Sequence, residues 1–305
     1  MSDNGASDAE TREPAPGHWG GLASPAADPV QSDPSPAQAP LAEAPPGPTF
    51  ANPGLRLTLV LLLVWMLVTL LGGVSLIDGV QDLGGFMAAG VAVNIAASGA
   101  IALVAGRVLG LWPLWFGAPL PGTLRATWFP MLFLGLLALV ALLVGWPGAG
   151  VVLVLAANCL FVGISEEVMF RGLFYRSLRG RMGILSAALL SSLLFGAIHV
   201  LNALLTGDLV GAVAQSTFAA LLGLVLAAMM LRSGSLFWPI LYHAVWDFCT
   251  LVIGHQVMMQ GDLPPPQTAF SVAIFVPALV ALPMAIHAFW LIRRLPRHAP
   301  AMVRA

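Results

Sequence analysis

The chain has no lysine and only two cysteines, and charged residues make up 9% of its 305 positions. Soluble domains carry about 25% charged residues. The shortage of charge therefore excludes an ordinary water-soluble domain. The formal net charge is −1 and no basic tract points to nucleic acid, so no nucleic-acid partner is expected. Cys159 and Cys249 both lie inside apolar runs. Buried free thiols are expected there, not a structural disulfide. With lysine absent and Ala, Gly and Pro abundant, the composition points to a bacterium with a GC-rich genome.

What is present is apolar: 58% of residues are hydrophobic, and the mean hydropathy is +0.89. This is the composition of a multi-pass membrane protein. The character changes near Pro53. Residues 1–52 hold seven of the fourteen acids, much Pro and Ala, and no hydrophobic period. Residues 1–53 are expected to be a disordered, acidic, cytoplasmic tail, because they cannot bury a core. The tail has neither a basic n-region nor an apolar h-region, so it does not read as a signal peptide.

Beyond it, residues 54–298 read as a transmembrane domain. Apolar runs of about 17–25 residues recur, the length that spans a bilayer. Eight are expected, at 56–77, 84–106, 128–146, 150–170, 184–203, 208–231, 236–256 and 269–292. Pro147-Gly148-Ala149 and Ser233-Gly234-Ser235 separate the closest pairs. The fold class is therefore all-α: a polytopic transmembrane helical bundle of about eight spans.

Orientation follows from the cations. With the N-terminus inside, Arg56, Arg107, Arg125, Arg171 to Arg181, Arg232 and Arg293 to Arg304 all fall on the cytoplasmic side. Asp78, Asp82, Asp208 and Asp262 fall outside. The expected location is the bacterial inner membrane, with both termini cytoplasmic.

Most polar residues in the spans need bland readings. Asn94, Ser98, Gln215, Ser216 and Thr217 are expected to make interhelical hydrogen bonds, and Asn158 is expected to act the same way. His255 and His287 are expected near interfacial water.

Three constellations do not fit that reading. Glu166-Glu167-Val168-Met169-Phe170-Arg171 sits in span four. Phe195-Gly196-Ala197-Ile198-His199 sits in span five. His243-Ala244-Val245-Trp246-Asp247 sits in span seven. Ionised groups at mid-bilayer cost roughly 2.5–3.5 kcal/mol each on insertion scales. Helical residues i and i+4 share a face, so Glu167 meets Arg171, Phe195 aligns with His199, and His243 meets Asp247. Glu166 precedes Met182 by sixteen residues and His199 follows it by seventeen. At 1.5 Å per residue both lie about 25 Å from the hairpin turn, at matching height. A common site is expected where three spans meet.

A desolvated carboxylate beside an imidazole can take a proton from water. Desolvation favours a neutral carboxylate and a nearby cation favours a charged one. A Glu pair can thus hold one base and one ion-paired partner in different states. A second His and a further polar group can donate to a developing oxyanion. In an alternative scheme, Glu166, His199 and His243 hold a zinc ion with an open position. Both schemes have water attack a carbonyl. No Ser-His-Asp order is evident, and neither cysteine neighbours a motif histidine convincingly.

The ordered set Glu-Glu-x-x-x-Arg, Phe-x-x-x-His and His-x-x-x-Asp on successive apolar segments resembles the CAAX protease and bacteriocin-processing family. These are intramembrane endopeptidases related to the type II prenyl proteases. The run from Glu166 through Gly172-Leu173-Phe174 is similar to the family's first motif, and the resemblance covers about 125–256. It implies that Glu166 is the base, acting with His199 on the catalytic water. It implies that Glu167 and Arg171 orient and neutralise, and that His243 and the residue at Asp247 polarise the scissile carbonyl. Asp247 departs from members with Asn, and its expected role is to orient His243. The implied partner is a membrane-associated protein or peptide substrate within a lipid bilayer. A different function class remains: a non-catalytic immunity or scaffold protein that binds a peptide in the same cavity.

Overall fold

The computed structural model describes residues 52–74, 87–260 and 276–295. The expected tail up to residue 51, and Asp78, Asp82 and Asp262, lie outside the described residues. Among the described residues every regular element is helical. The principal helices are α1 (Leu55–Val74), α2 (Val93–Val108), α3 (Trp128–Val144), α4 (Ala149–Glu167), α5 (Ile184–Ile198), α6 (Leu209–Ser233), α7 (Phe237–Gln260) and α8 (Val276–Arg293).

They fall on the eight expected apolar runs. Five helical stretches are long and apolar enough to cross a membrane: 149–179, 184–206, 209–233, 237–259 and 276–293. Three shorter apolar helices accompany them, at 55–71, 93–108 and 128–144. The protein is a polytopic helical bundle. Its outward faces are apolar, with Leu57, Leu63, Leu71, Leu132, Leu136, Leu143 and Ile286 all exposed. A helical bundle can leave such side chains outward when lipid is the solvent.

The breaks sit where the glycines and prolines put them. α3 stops before Gly145, whose φ is 102°, and α4 starts after Pro147-Gly148. α6 starts at Asp208, whose carboxylate accepts a hydrogen bond from the Gly211 N–H at 2.9 Å. That cap satisfies one of the orphan donors of the first turn. α6 ends at Gly234, where φ is 69°.

α6 is the centre of the bundle and packs between α5 and α8. Its run from Leu222 to Leu231 is buried all round, as expected of a helix surrounded by others. α4 lies against α7 and α2, α7 also packs on α3, and α2 on α1.

Two features depart from the sequence reading. The fourth span does not end near residue 170. Helical structure continues from α4 through a π-helical segment, Val168–Phe174, into Tyr175–Arg179. Arg171 and Arg176, both counted among the arginines of the cytoplasmic side, are buried. α5 is likewise extended by a 3₁₀ turn, His199–Asn202, and a short α turn, Ala203–Thr206.

The bland polar readings hold at most positions. Asn94 Nδ2 donates to the Thr69 carbonyl at 2.7 Å, and Ser98 and Ser165 hydroxyls lie 3.0 Å apart. Asn158 accepts from the Ala92 N–H and donates to the Met87 and Gly90 carbonyls, each at 2.8 Å. It fixes the approach to α2 and is a structural group. Thr217 departs from expectation, since its hydroxyl donates to Val213 on its own helix. The His287 ring, six residues before the end of α8, is half-buried and packs with Trp128, Phe129 and Trp290. Cys159 and Cys249 are buried free thiols, as expected.

Candidate functional site

The site is built in two layers, one buried and one facing a cavity. In the buried layer, Arg171 Nη1 donates to Glu167 Oε1 at 2.8 Å, with side-chain exposures of 1% and 0%. Such low exposure leaves neither charge accessible to water, so each needs its partner. A second Arg171 nitrogen, Nη2, donates to the Gly223 carbonyl of α6 at 3.1 Å. The guanidinium carbon stands 4.2 Å from the Phe195 ring centroid, a cation–π contact. One arginine thereby ties α4, α5 and α6 together.

Glu167 Oε1 also lies 3.0 Å from His243 Nδ1. That oxygen already accepts from Arg171, so Nδ1 must carry the donated proton. The bond fixes the ring of His243 and reaches from α4 to α7. Phe195 completes the support. Its ring meets His199 edge-on at 5.0 Å and His243 at 5.9 Å. The Phe-x-x-x-His motif therefore supplies a wall against which both imidazoles rest.

The second layer faces inward. His243 Nε2 lies 3.4 Å from Asp247 Oδ2 and 3.7 Å from Glu166 Oε2. Glu166 and Asp247 are 16% and 27% exposed, unlike Glu167 at 0%. Glu166 Oε2 has no hydrogen-bond partner among the described residues. His199 Nδ1 lies 2.7 Å from the Phe195 carbonyl. A carbonyl only accepts, so Nδ1 is the donor and, in the neutral ring, Nε2 is the acceptor.

Glu166, His199, His243 and Asp247 line one cavity of about 860 Å³. Most of its wall is apolar, including Phe133, Leu137, Phe218, Leu222, Trp246 and Val280. Glu166 and His199 also share a side pocket of about 60 Å³ beside Trp65 and Thr69. That volume is the size of one or two water molecules. The matching height expected for Glu166 and His199 is what the bundle shows.

All six candidate residues thus gather in one region, but two of the expected roles shift. Asp247 was expected to orient His243. The ring is instead held by Glu167 at Nδ1, and Asp247 faces the opposite nitrogen. The zinc set of Glu166, His199 and His243 fits poorly. Both nitrogens of His243 face carboxylates, and Nδ1 of His199 is bonded to a backbone carbonyl. Among the described residues no three of His, Cys, Asp and Glu are grouped as metal ligands.

Two contributors carried no sequence signal. The Gly223 carbonyl that anchors Arg171 is a backbone atom, and any residue type supplies one. Ser165, one position before the Glu pair, accepts from Trp65 Nε1 at 2.8 Å. It pins α1 against α4 just beneath Glu166.

The π-helical segment begins directly after Glu167. It inserts extra backbone into the turn that carries Arg171, a feature common at functional sites. Gly196 and Gly163 set the spacing around the site. A Cβ on Gly196 would meet the Ser216 carbonyl and Ala220 Cβ at 2.6 Å. One on Gly163 would meet the Ile240 carbonyl at 2.9 Å. Glycine at these positions lets α5 approach α6, and α4 approach α7.

Comparison with known families bears on residues 148–249. They match the family model described as Type II CAAX prenyl endopeptidase Rce1-like. This segment runs from the start of α4 to just past Asp247 and contains all six site residues. No curated protein matches the chain.

Proposed function

With the CAAX protease family assignment that residues 148–249 support as premise, we propose that the protein is an intramembrane endopeptidase. It hydrolyses a peptide bond of a membrane-associated protein or peptide. The observation that carries this reading is the convergence of Glu166, His199, His243 and Asp247 on one apolar-walled cavity.

In this reading Glu166 is the general base. It lines the cavity beside His243, and its Oε2 makes no hydrogen bond among the described residues. His199 accepts a hydrogen bond from the same water through Nε2 and orients it. The water oxygen attacks the carbonyl carbon while its proton passes to Glu166. His243, protonated at Nε2, donates to the oxygen on which negative charge develops. The C–N bond then breaks, and Glu166 returns the proton to the leaving amine. Glu167 and Arg171 do not touch the substrate. They hold His243 so that Nε2 points into the cavity.

The apolar walls exclude bulk water from the reacting groups, which strengthens each hydrogen bond to a developing charge. No step here passes through a metal ion. The arginine pattern supports placement in a bacterial inner membrane with both termini cytoplasmic. The type II prenyl name describes the matched family, and the substrate of this chain is a separate question.

The test is comparative peptidomics of cells carrying the wild-type protein against cells carrying Glu166→Ala. Peptides present only in the wild type identify substrates and cleavage sites. Identical peptide sets, or a cellular phenotype rescued in full by Glu166→Ala, would favour a non-catalytic binding protein.

A further inference from the structure

A peptide entering an apolar cavity needs partners for its own backbone N–H and C=O groups. Beyond the four inward-facing site residues, the polar side chains on the cavity wall are Thr69, Asn94, Asn202, Thr206, Gln215 and Thr250. The threonine hydroxyls all donate within the protein: Thr69 to Trp65, Thr206 to Asn202 and Thr250 to Asp247. Asn94 donates to Thr69, and its Oδ1 is buried away from the open space.

Asn202 and Gln215 differ. Asn202 Nδ2 donates to Gln215 Oε1 at 2.9 Å, across the gap between the 3₁₀ turn and α6. Among the described residues this is the single hydrogen bond made by either side chain. Asn202 Oδ1 and Gln215 Nε2 have no hydrogen-bond partner among the described residues, neither is among the sealed polar atoms, and both residues line the cavity. Together they present one acceptor and one donor side by side. That is the complement of a peptide unit, which offers one donor and one acceptor.

The local helix geometry sets the position. α5 gives way to the 3₁₀ turn at His199, and the turn ends at Asn202. In a 3₁₀ helix residues i and i+3 are eclipsed, at a rise of about 2.0 Å per residue. Asn202 is therefore aligned with His199, about 6 Å further along the wall. An extended peptide rises about 3.3 Å per residue. A substrate whose scissile bond lies at His199 and Glu166 would pass Asn202 about two residues away.

We propose that the Asn202–Gln215 amide pair is a substrate-positioning subsite that binds the backbone of an extended peptide about two residues from the scissile bond. This rests on the endopeptidase reading and gives it a substrate conformation. The bound segment is a strand, and an unwound stretch of chain is selected over a helix, whose backbone groups are already paired.

The experiment uses the full-length protein in detergent. The probe is a synthetic peptide spanning a cleavage site mapped by the peptidomic comparison. Each backbone nitrogen within three residues of that site is N-methylated in turn. In the wild type, one methylation about two residues away should raise KM at least tenfold with kcat within threefold. Asn202→Leu should raise KM for the parent peptide to a similar degree and remove the penalty of that methylation.

Gln215→Glu separates substrate contact from interhelical glue. It keeps an acceptor for Asn202 Nδ2 and deletes the free amide donor. It should leave thermal stability unchanged and raise KM. Two results would overturn the subsite: an equal methylation penalty in wild type and Asn202→Leu, or Gln215→Glu with unchanged KM. Failure of the endopeptidase reading looks different, because no peptide would then depend on Glu166.

Discussion

At the residue scale, two carboxylates adjacent in sequence have opposite surroundings. Glu167 is sealed beneath the site and shares one oxygen between Arg171 and His243. Glu166 lines the cavity at 16% exposure, and its Oε2 has no hydrogen-bond partner among the described residues. One residue positions and the other is placed to react. From this, Glu167→Gln should cost about 100-fold or more in kcat, by analogy with loss of a carboxylate that fixes a histidine tautomer. Asp247→Asn should cost less than about tenfold, because Asp247 does not hold the ring, and an amide there can donate to an oxyanion. Steady-state kinetics of both variants check the ranking, and the reverse order would restore Asp247 as the orienting group.

The facing of both His243 nitrogens toward carboxylates has a second consequence. Dialysis of the purified protein against a chelator should leave kcat within about twofold. Loss of activity that returns with stoichiometric zinc would contradict the acid–base scheme and revive the ligand set Glu166, His199 and His243.

Residue roles were partly legible in the sequence. The i, i+4 spacing correctly joined Glu167 to Arg171 and His243 to Asp247, since both lie on helices. It could not show that Glu167 crosses from α4 to α7, because contacts between helices depend on packing and leave no periodic trace. The burial of Arg171 and Arg176 was hidden for the same reason. Arg171 is held there by Glu167, one turn earlier, and by the Gly223 carbonyl and the Phe195 ring, which are distant in sequence.

At the element scale, the π-helical segment Val168–Phe174 was invisible to pattern reading. All seven of its residues are buried, so apolar periodicity could not tell a turn of 3.6 residues from a wider one. The same applies to the 3₁₀ turn at His199, where four residues are too few to set a period. Helix ends were read better. Pro147-Gly148 and Gly234 act locally through φ and the missing N–H, and the chain breaks beside them.

Close helix approach yields a test at this scale. Gly196 sits one turn before His199 and against the Ser216 carbonyl and Ala220. Gly196→Val should push α5 from α6, with a stability loss of about 1–3 kcal/mol. It should also lower kcat, because His199 moves with α5. Thermal melting and kinetics on the same preparation measure both. A variant of wild-type stability and rate would show that the spacing is not needed.

At the scale of the whole molecule, the architecture follows from an apolar solvent. Helices satisfy their own backbones, leave leucine and valine outward, and turn the few ionisable groups toward one another. The eight apolar runs were legible because the length rule acts on composition alone. The orientation is a matter of flanking arginines. A fluorescent protein fused after Ala305 should fluoresce in intact bacterial cells, and an alkaline phosphatase fused there should be inactive. Phosphatase activity at that end would invert the topology.

The claim on which the account rests is that Glu166 and His199 act together on one water inside the bundle. The most direct measurement is the cleavage rate of a mapped substrate peptide by purified wild type, Glu166→Ala, His199→Ala and the double variant, each shown to be folded by thermal melting. Each single variant should lose at least about 1,000-fold, and the double variant should lose little more, as expected of groups acting as a unit. A folded Glu166→Ala protein that still cleaves at the wild-type rate would contradict the account.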